Sequence, residues 1–402
     1  MQEDLLQFIW QRQLFKQDLI SENGQSVRII HPGNLNRLAG PDFSNAKIEL
    51  DGIIWVGNIE IHVRESDWFQ HGHQHDKAYD NIILHVVYDK NFSQSKTGHT
   101  TVNLYDLVDK NLLERYKNLM NSLETLHCSN HIRTMDKLRL GLWFSAIGIE
   151  RFQAKLINCR AKYHSEKSDL DYLLMHMLFL AFGFGVNTEA FNQLSMALHP
   201  NIFYRLNESP EKINLLLKGM ASFDLNSKEK SDFNVLIKRF KLVPICNQFW
   251  NRGALRPANK PQKRLEQLSS LMQRFKILRE AIHNKASYVE IRKFIKGIGS
   301  QKSSIGQASM NSLIINAVVP YLFLLSENMS DQSLKEHALE MLESINAEEN
   351  RYTRIYTRNG LKATNSLESQ AMIHLYQNYC RPKKCLNCAI GNDLILSHDR
   401  KN

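Results

Sequence analysis

The dipeptide Asp51-Gly52 constrains this chain more than any other two residues. It separates two strand-like runs, Ala46 to Leu50 and Ile53 to Arg64. Asp-Gly between alternating apolar and polar residues signals a tight hairpin, because a two-residue turn of the favoured hand needs positive φ at both positions. Around it, residues 3 to 15 read as an amphipathic helix with Leu5, Leu6, Ile9 and Trp10 on one side. Ser26 to Ile30 reads as a strand, and Asn34 to Gly40 is turn-rich. Asn81 to Asp89 is β-branched and apolar, hence an interior strand. Val102 to Leu107 adds another strand, and Lys110 to Leu126 a helix.

From about Met135 the period becomes helical, over 137–163, 169–185, 188–198, 210–240, 263–296, 308–327, 331–347 and 365–379. Ser300 to Gly306 reads as a Ser/Gly-rich loop, and no repeat period emerges. The expected class is α+β: an α/β unit with a mixed sheet at 1–130, then a mainly helical region at 131–402.

The acids sit on the hairpin. Along Ile53 to Arg64, the even positions Glu60, His62 and Arg64 share one face. A carboxylate with a proton-bearing neighbour two residues on is suited to holding a divalent ion for phosphodiester hydrolysis. Asp42, in Gly40-Pro41-Asp42-Phe43, is the natural second acid. A regular hairpin pairs Asp42 with Ile61 and turns it away from Glu60, and Glu49 is then the substitute. A bulge near Pro41, which cannot donate to the ladder, shifts the register by one and brings Asp42 beside Glu60 and His62; this arrangement is favoured. The expected catalytic set is Asp42, Glu60, His62 and His73, with Mg2+ or Mn2+ at the acid pair. An exposed polar sheet face carries the same residue types without function.

His71, His73 and His75, with Asp76, follow the acid strand and offer an alternative zinc site. One of them can instead serve the acid pair as general acid or base. His85, inside a buried strand, reads as a core histidine unless it shares the Glu60 face.

Six cysteines in 402 residues do not make a disulfide framework, yet Cys380, Cys385 and Cys388 are clustered. A Cys-x2-Cys pair on a turn is a common metal knuckle, and zinc or an iron–sulfur cluster would need a fourth ligand. Cys128, Cys246 and Cys159 are the candidates, with Cys128 preferred for its polar turn.

The net charge of +10 favours an anionic partner such as nucleic acid. Arg64, and Arg252, Arg256, Lys260 and Arg264 beside Trp250, are candidate phosphate contacts; Arg292 to Lys296 is another basic stretch. No ATPase-type phosphate loop is present. The apolar runs Tyr172 to Val186 and Leu313 to Leu325 are short for a bilayer and read as buried helices. With an acidic opening where a signal peptide needs positive charge, a cytoplasmic protein away from membranes is expected.

Gly57-Asn58-Ile59-Glu60-Ile61-His62-Val63-Arg64, Ser66-Asp67-Trp68, His71, His73, Asp76, Tyr79-Asp80-Asn81 and Leu84-His85-Val86-Val87, with Gly40-Pro41-Asp42-Phe43, resemble a bacterial domain-of-unknown-function family, number 2851. The likeness continues through Arg256-Pro257-Ala258-Asn259 to Tyr379-Cys380. That family implies no activity. Pro41-Asp42, Glu60 and position 62 also resemble the PD-(D/E)XK nuclease superfamily, with His62 where lysine is usual. That resemblance implies a nuclease-like fold, metal on Asp42, Glu60 and the carbonyl of Ile61, water positioned by His62, and Glu3 as an additional acid. The leading expectation is a metal-dependent nuclease. The alternatives are a nucleic-acid-binding protein without cleavage, and a zinc hydrolase built on His71, His73 and His75.

Overall fold

A computed structural model describes residues 1–92, 96–162, 169–253, 255–297 and 304–397, with the side chains of 158–162 and 258 excepted. Cys159 and most of the expected 300–306 loop lie outside the described side chains and residues. The chain divides into two compact units, 1–140 with 376–402, and 141–375.

In the first unit, α1 (Glu3–Gln11) precedes a seven-stranded sheet of β1 (Leu19–Ile20), β2 (Ser26–His31), β3 (Asn34–Leu35), β4 (Phe43–Leu50), β5 (Ile53–His62), β6 (Ile82–Val87) and β7 (Thr101–Asn103). The order is β1-β2-β4-β5-β6-β7, with β3 beside β4. β4 and β5 are antiparallel, whereas β5, β6 and β7 run parallel, so the sheet is mixed as expected. Asp51 and Gly52 have φ of 45° and 87°, the tight turn that the dipeptide announces. The link from β5 to β6 carries α2 (Asp67–Gln70) and two short 3-10 turns, His73–His75 and Lys77–Tyr79. α3 (Lys110–Asn121) is capped by the Asp109 side chain, which accepts from the Asn111 amide.

The core of this unit joins Leu6, Ile9 and Trp10 of α1 to Phe43, Ile48, Ile59, Ile61, Leu84 and Val86 of the sheet and to Leu112 and Leu119 of α3. Ile395, from the far end of the chain, is fully buried in the same core. The expected split at residue 130 therefore differs in two ways. The boundary falls near 140, and the last segment returns to the first unit because its apolar face completes that core.

The second unit is helical, but several expected helices are broken. The stretch 210–240 is two helices, Pro210–Met220 and Ser227–Phe240, and 263–296 is three, Pro261–Met272, Phe275–His283 and Tyr288–Lys296. Helices Pro200–Leu206 and Arg351–Arg358 were not expected. Ser287 and Asn226 form capping boxes with Glu290 and Glu229, which is why new helices start there. The run Gln307–Met329 is long and apolar enough to cross a membrane, yet 72% of its apolar window is buried inside this unit, as in a core helix. A π turn, Ile314–Val318, interrupts it, and Asn316 on that turn accepts from Nζ of Lys155 at 2.9 Å.

Candidate metal centre

The sheet register decides which acids meet. Leu50 pairs with Ile53 and Ala46 with Gly57, but Phe43 pairs with Ile59, so β4 carries one extra residue between Phe43 and Ala46. Asn45, with φ of 55°, supplies that bulge. Continuing the shifted register by one residue sets Asp42 opposite Glu60. The Asp42 amide donates to Oε2 of Glu60 at 3.0 Å, and Oδ2 of Asp42 accepts from the Ile61 amide at 3.1 Å. Gln7 of α1 donates to the other carboxylate oxygen of Asp42 at 2.8 Å. Glu49 instead pairs with Arg28 of β2 and belongs to the other end of the hairpin.

Glu60 and His62 are buried, at 4% and 0% exposure, beneath the β5–β6 link. Their face is closed by Trp68 and Tyr79, and the Tyr79 ring stacks on His73 with centroids 3.9 Å apart. His73 Nε2 lies 3.2 Å from Oε1 of Glu60, and His62 Nε2 lies 3.6 Å from the same oxygen. His62 Nε2 is 3.2 Å from Nδ1 of His71. His62 Nδ1 is 2.9 Å from Nε2 of His85, which lies on the neighbouring strand in register with Glu60.

Burial sets the charge states. Burial, and next the charge of Asp42, pushes the Glu60 carboxyl up to about 9. Burial raises Asp42 to about 6 against the donors Gln7 and Ile61, and burial with Asp42 raises Glu3 to about 7. Burial, then neighbouring His85, holds the His62 imidazole down to about 2. His85 falls to about 3 and His73 falls as well, burial leading in both. A pocket in which Asp42 and Glu60 are raised and His62, His73 and His85 lowered, all toward neutrality, favours a cation that turns carboxyls into carboxylates and uses imidazole lone pairs.

The donor geometry suits such an ion. His62, His71 and His73 present ligand atoms all within 4.8 Å of one another. A tetrahedral ion with bonds of about 2.0–2.1 Å has donor–donor edges of roughly 3.4 Å. The edges Glu60–His73, Glu60–His62 and His62–His71 span 3.2 to 3.6 Å. Nε2 of His73 is buried and makes no hydrogen bond, although Oε1 of Glu60 is so near. Two acceptor atoms close together but not aimed at each other are arranged as ligands of a common centre. With its proton on Nδ1, His62 donates to His85 and frees Nε2 for that centre.

The expected residues thus divide. Asp42, Glu60, His62 and His73 come together, and His71 joins them. His75 is exposed and lies apart from the set, contrary to the three-histidine alternative. Alternate residues share a face only in an extended strand, and 73–75 is a 3-10 turn. Arg64 lies beyond the end of β5 with a side chain 68% exposed, 3.9 Å from Asp67. Among the candidate phosphate contacts, Arg252, Arg256 and Lys260 are exposed. Arg264 is not available: it is 4% exposed, donates to Gln267, Asn259 and Ser309, and lies over the Phe184 ring at 3.9 Å. Gln7, Tyr79 and Trp68 were missed as site residues. Gln7 lies one turn from Glu3 on α1, which is the signal that would have found it.

Residues 3–351 match the family described as "Protein of unknown function (DUF2851)". The match ends before Tyr379-Cys380 and the cysteines that follow. No curated protein and no solved structure matches the chain.

Proposed function

We propose that this chain, which belongs to the family DUF2851, is a metal-dependent hydrolase of phosphodiesters. The observation that carries the reading is the meeting of Glu60, His62, His71 and His73 at metal-ligand spacing beside Asp42. Three imidazoles and one carboxylate suit Zn2+ or Mn2+ better than Mg2+, which prefers an all-oxygen shell. A bound ion that took a water as a fifth ligand beside these four donors would activate that water and polarise the phosphoryl oxygen.

The chain's own groups do the rest. Glu60, His62, His71 and His73 hold the ion. His85 orients His62 through the 2.9 Å contact. Asp42, whose carboxylate is held by Gln7 and the Ile61 amide beside Glu60, would orient and deprotonate the attacking water. Support for a phosphodiester substrate comes from the paired acids on the bulged hairpin, from the net charge of +10, and from exposed Arg64 at the end of the acid strand.

The histidine-rich donor set also favours a second reading, a zinc hydrolase of a smaller substrate. One experiment tests both. The full chain is incubated with plasmid, single-stranded DNA, RNA and bis(p-nitrophenyl) phosphate, each with Mg2+, Mn2+ or Zn2+, beside Glu60→Gln and His73→Ala. Cleavage of the polymers that both substitutions abolish supports the leading reading. Turnover confined to the small ester supports the second. Cleavage that survives both substitutions overturns the site.

A further inference from the structure

The second unit holds a cavity of its own, built from its residues alone. It measures about 460 Å3, inside the range of roughly 300–1,000 Å3 that small-molecule sites occupy. The helix Leu170–Phe182 is apolar all round, so the side it turns to the cavity carries Met177 and Leu180 rather than charged residues. Phe184 and Pro320 extend this apolar surface.

The polar groups stand together on another part of the wall. Nζ of Lys155, on the helix Lys137–Lys162, donates to Oδ1 of Asn316 at 2.9 Å. Nδ2 of the same amide donates to Oγ of Ser312 at 3.2 Å and to the Ser312 carbonyl at 2.9 Å. One amide therefore sets an amine and a hydroxyl at its two ends. Asn316 sits on the π turn Ile314–Val318, a helix irregularity of the kind often found at functional sites. Lys155, Ser312 and Asn316 all line the cavity and are half-buried.

This wall has donors to spare and lacks negative charge. An ammonium carries three protons. Among the described residues, Lys155 gives one to Asn316 and has no carboxylate at ion-pair distance. The Ser312 hydroxyl accepts from Asn316, so its own proton is directed elsewhere. The charge of Arg151, one turn before Lys155, adds to the positive side, and Glu348 opposes it only from a greater distance, where it is held by Gln370. An amine beside a second cation on a largely apolar wall is stabilised by an anion that brings its own negative charge.

We propose that this cavity binds a small monocarboxylate with an apolar body, its two oxygens taken by the Lys155 amine and the Ser312 hydroxyl and its body lying on Met177, Leu180, Phe184 and Pro320. A carboxylate matches the wall in charge and in number, with one cation and one neutral donor for two oxygens. A phosphate dianion would leave its second charge facing apolar side chains, and a neutral apolar molecule would leave both donors unpaired. The site is independent of the metal centre, which lies in the first unit.

Full-length protein, stripped of metal, is titrated with octanoate by calorimetry, beside acetate and 1-octanol. Stripping matters because a carboxylate would also bind an ion held by the histidines. The expected result is saturable binding of octanoate, at least about tenfold tighter than that of acetate, which lacks the body, or of 1-octanol, which lacks the charge. Lys155→Met should weaken octanoate binding by at least about tenfold and leave 1-octanol nearly unchanged, and Ser312→Ala should weaken octanoate roughly threefold. His73→Ala should bind octanoate as wild type does. Should Lys155→Met fail to fold, the ligand comparison and Ser312→Ala still decide. No saturable binding, octanoate held no more tightly than 1-octanol, or a folded Lys155→Met that binds octanoate like wild type overturns the proposal. Loss of binding in His73→Ala assigns the carboxylate to the histidine centre and overturns it too.

Discussion

The backbone amide of Asp42 donates to Oε2 of Glu60 at 3.0 Å, a contact that exists because β4 holds one residue more than β5 between Phe43 and Ala46. Asn45 absorbs the surplus with φ of 55°, a conformation that asparagine tolerates and β-branched residues do not. Asn45→Val is expected to cost about 1–2 kcal/mol and to weaken metal binding, because Asp42 loses its register. Asn45→Gly should leave both nearly unchanged. Urea denaturation and calorimetric titration with Mn2+ check the pair.

Removing a ligand should act on metal before it acts on the fold. Glu60→Gln and His73→Ala are each expected to lower Zn2+ or Mn2+ affinity by at least about tenfold. In metal-free protein their melting temperatures should stay near wild type, since Glu60→Gln replaces a buried ionisable carboxyl with a neutral amide and His73→Ala removes a buried ring nitrogen that makes no hydrogen bond. Isothermal titration and thermal melting with and without metal read the two effects separately.

His85 hydrogen-bonds to the metal-holding set through His62 and packs against Trp68. His85→Leu keeps a buried apolar shape but removes the partner of His62 Nδ1. The expected outcome is a folded protein with metal affinity reduced roughly 10–100-fold, measured by competition with a chromogenic chelator.

Lys155 gives a pH dependence in the second unit. Burial, and next the charge of Arg151, lowers its amine from 10.5 to about 7. The unfolded chain therefore binds more protons than the folded one between pH 7 and 10.5, so this group's contribution makes stability rise with pH across that window. Lys155→Met removes the contribution, and the stability difference between wild type and variant should grow with pH from 7 to 10 in favour of wild type. Denaturant midpoints at pH 7, 8.5 and 10 check the slope.

Arg264 and Arg256 separate structure from surface. Arg264→Ala strands Gln267, Asn259 and Ser309 and opens the space over Phe184, so it should destabilise by about 2–4 kcal/mol. Exposed Arg256→Ala should stay within about 0.5 kcal/mol of wild type. Chemical denaturation of both variants tests this.

Local signals were legible where the chemistry is local. Asp51-Gly52 set the hairpin, alternation placed Glu60 and His62 on one face, and Pro41 pointed to an irregular strand start. The bulge itself sits at Asn45, two residues inside β4, where no sequence rule singles out one asparagine from another. The partnership of His62 with His85 depends on a parallel register, which no turn fixes and which only the packed sheet reveals. Arg264 looked like its exposed neighbours, because charge in a sequence says nothing about which side of a helix faces inward. The helical breaks near 222–226 and 284–287 were missed for a different reason: apolar period continues through short turns, while the caps that stop it are single polar residues.

Ile395 is fully buried in the core that α1 and the sheet share, and Nε of Arg115 donates to its carbonyl at 2.9 Å. During synthesis, the sheet unit therefore waits for residue 395 to leave the ribosome before it can close, whereas the helical unit has all its residues by position 375. A stop codon placed just after the helical unit would strip the first unit of part of its own interior, and the lesion would be felt more than two hundred residues upstream, in the sheet.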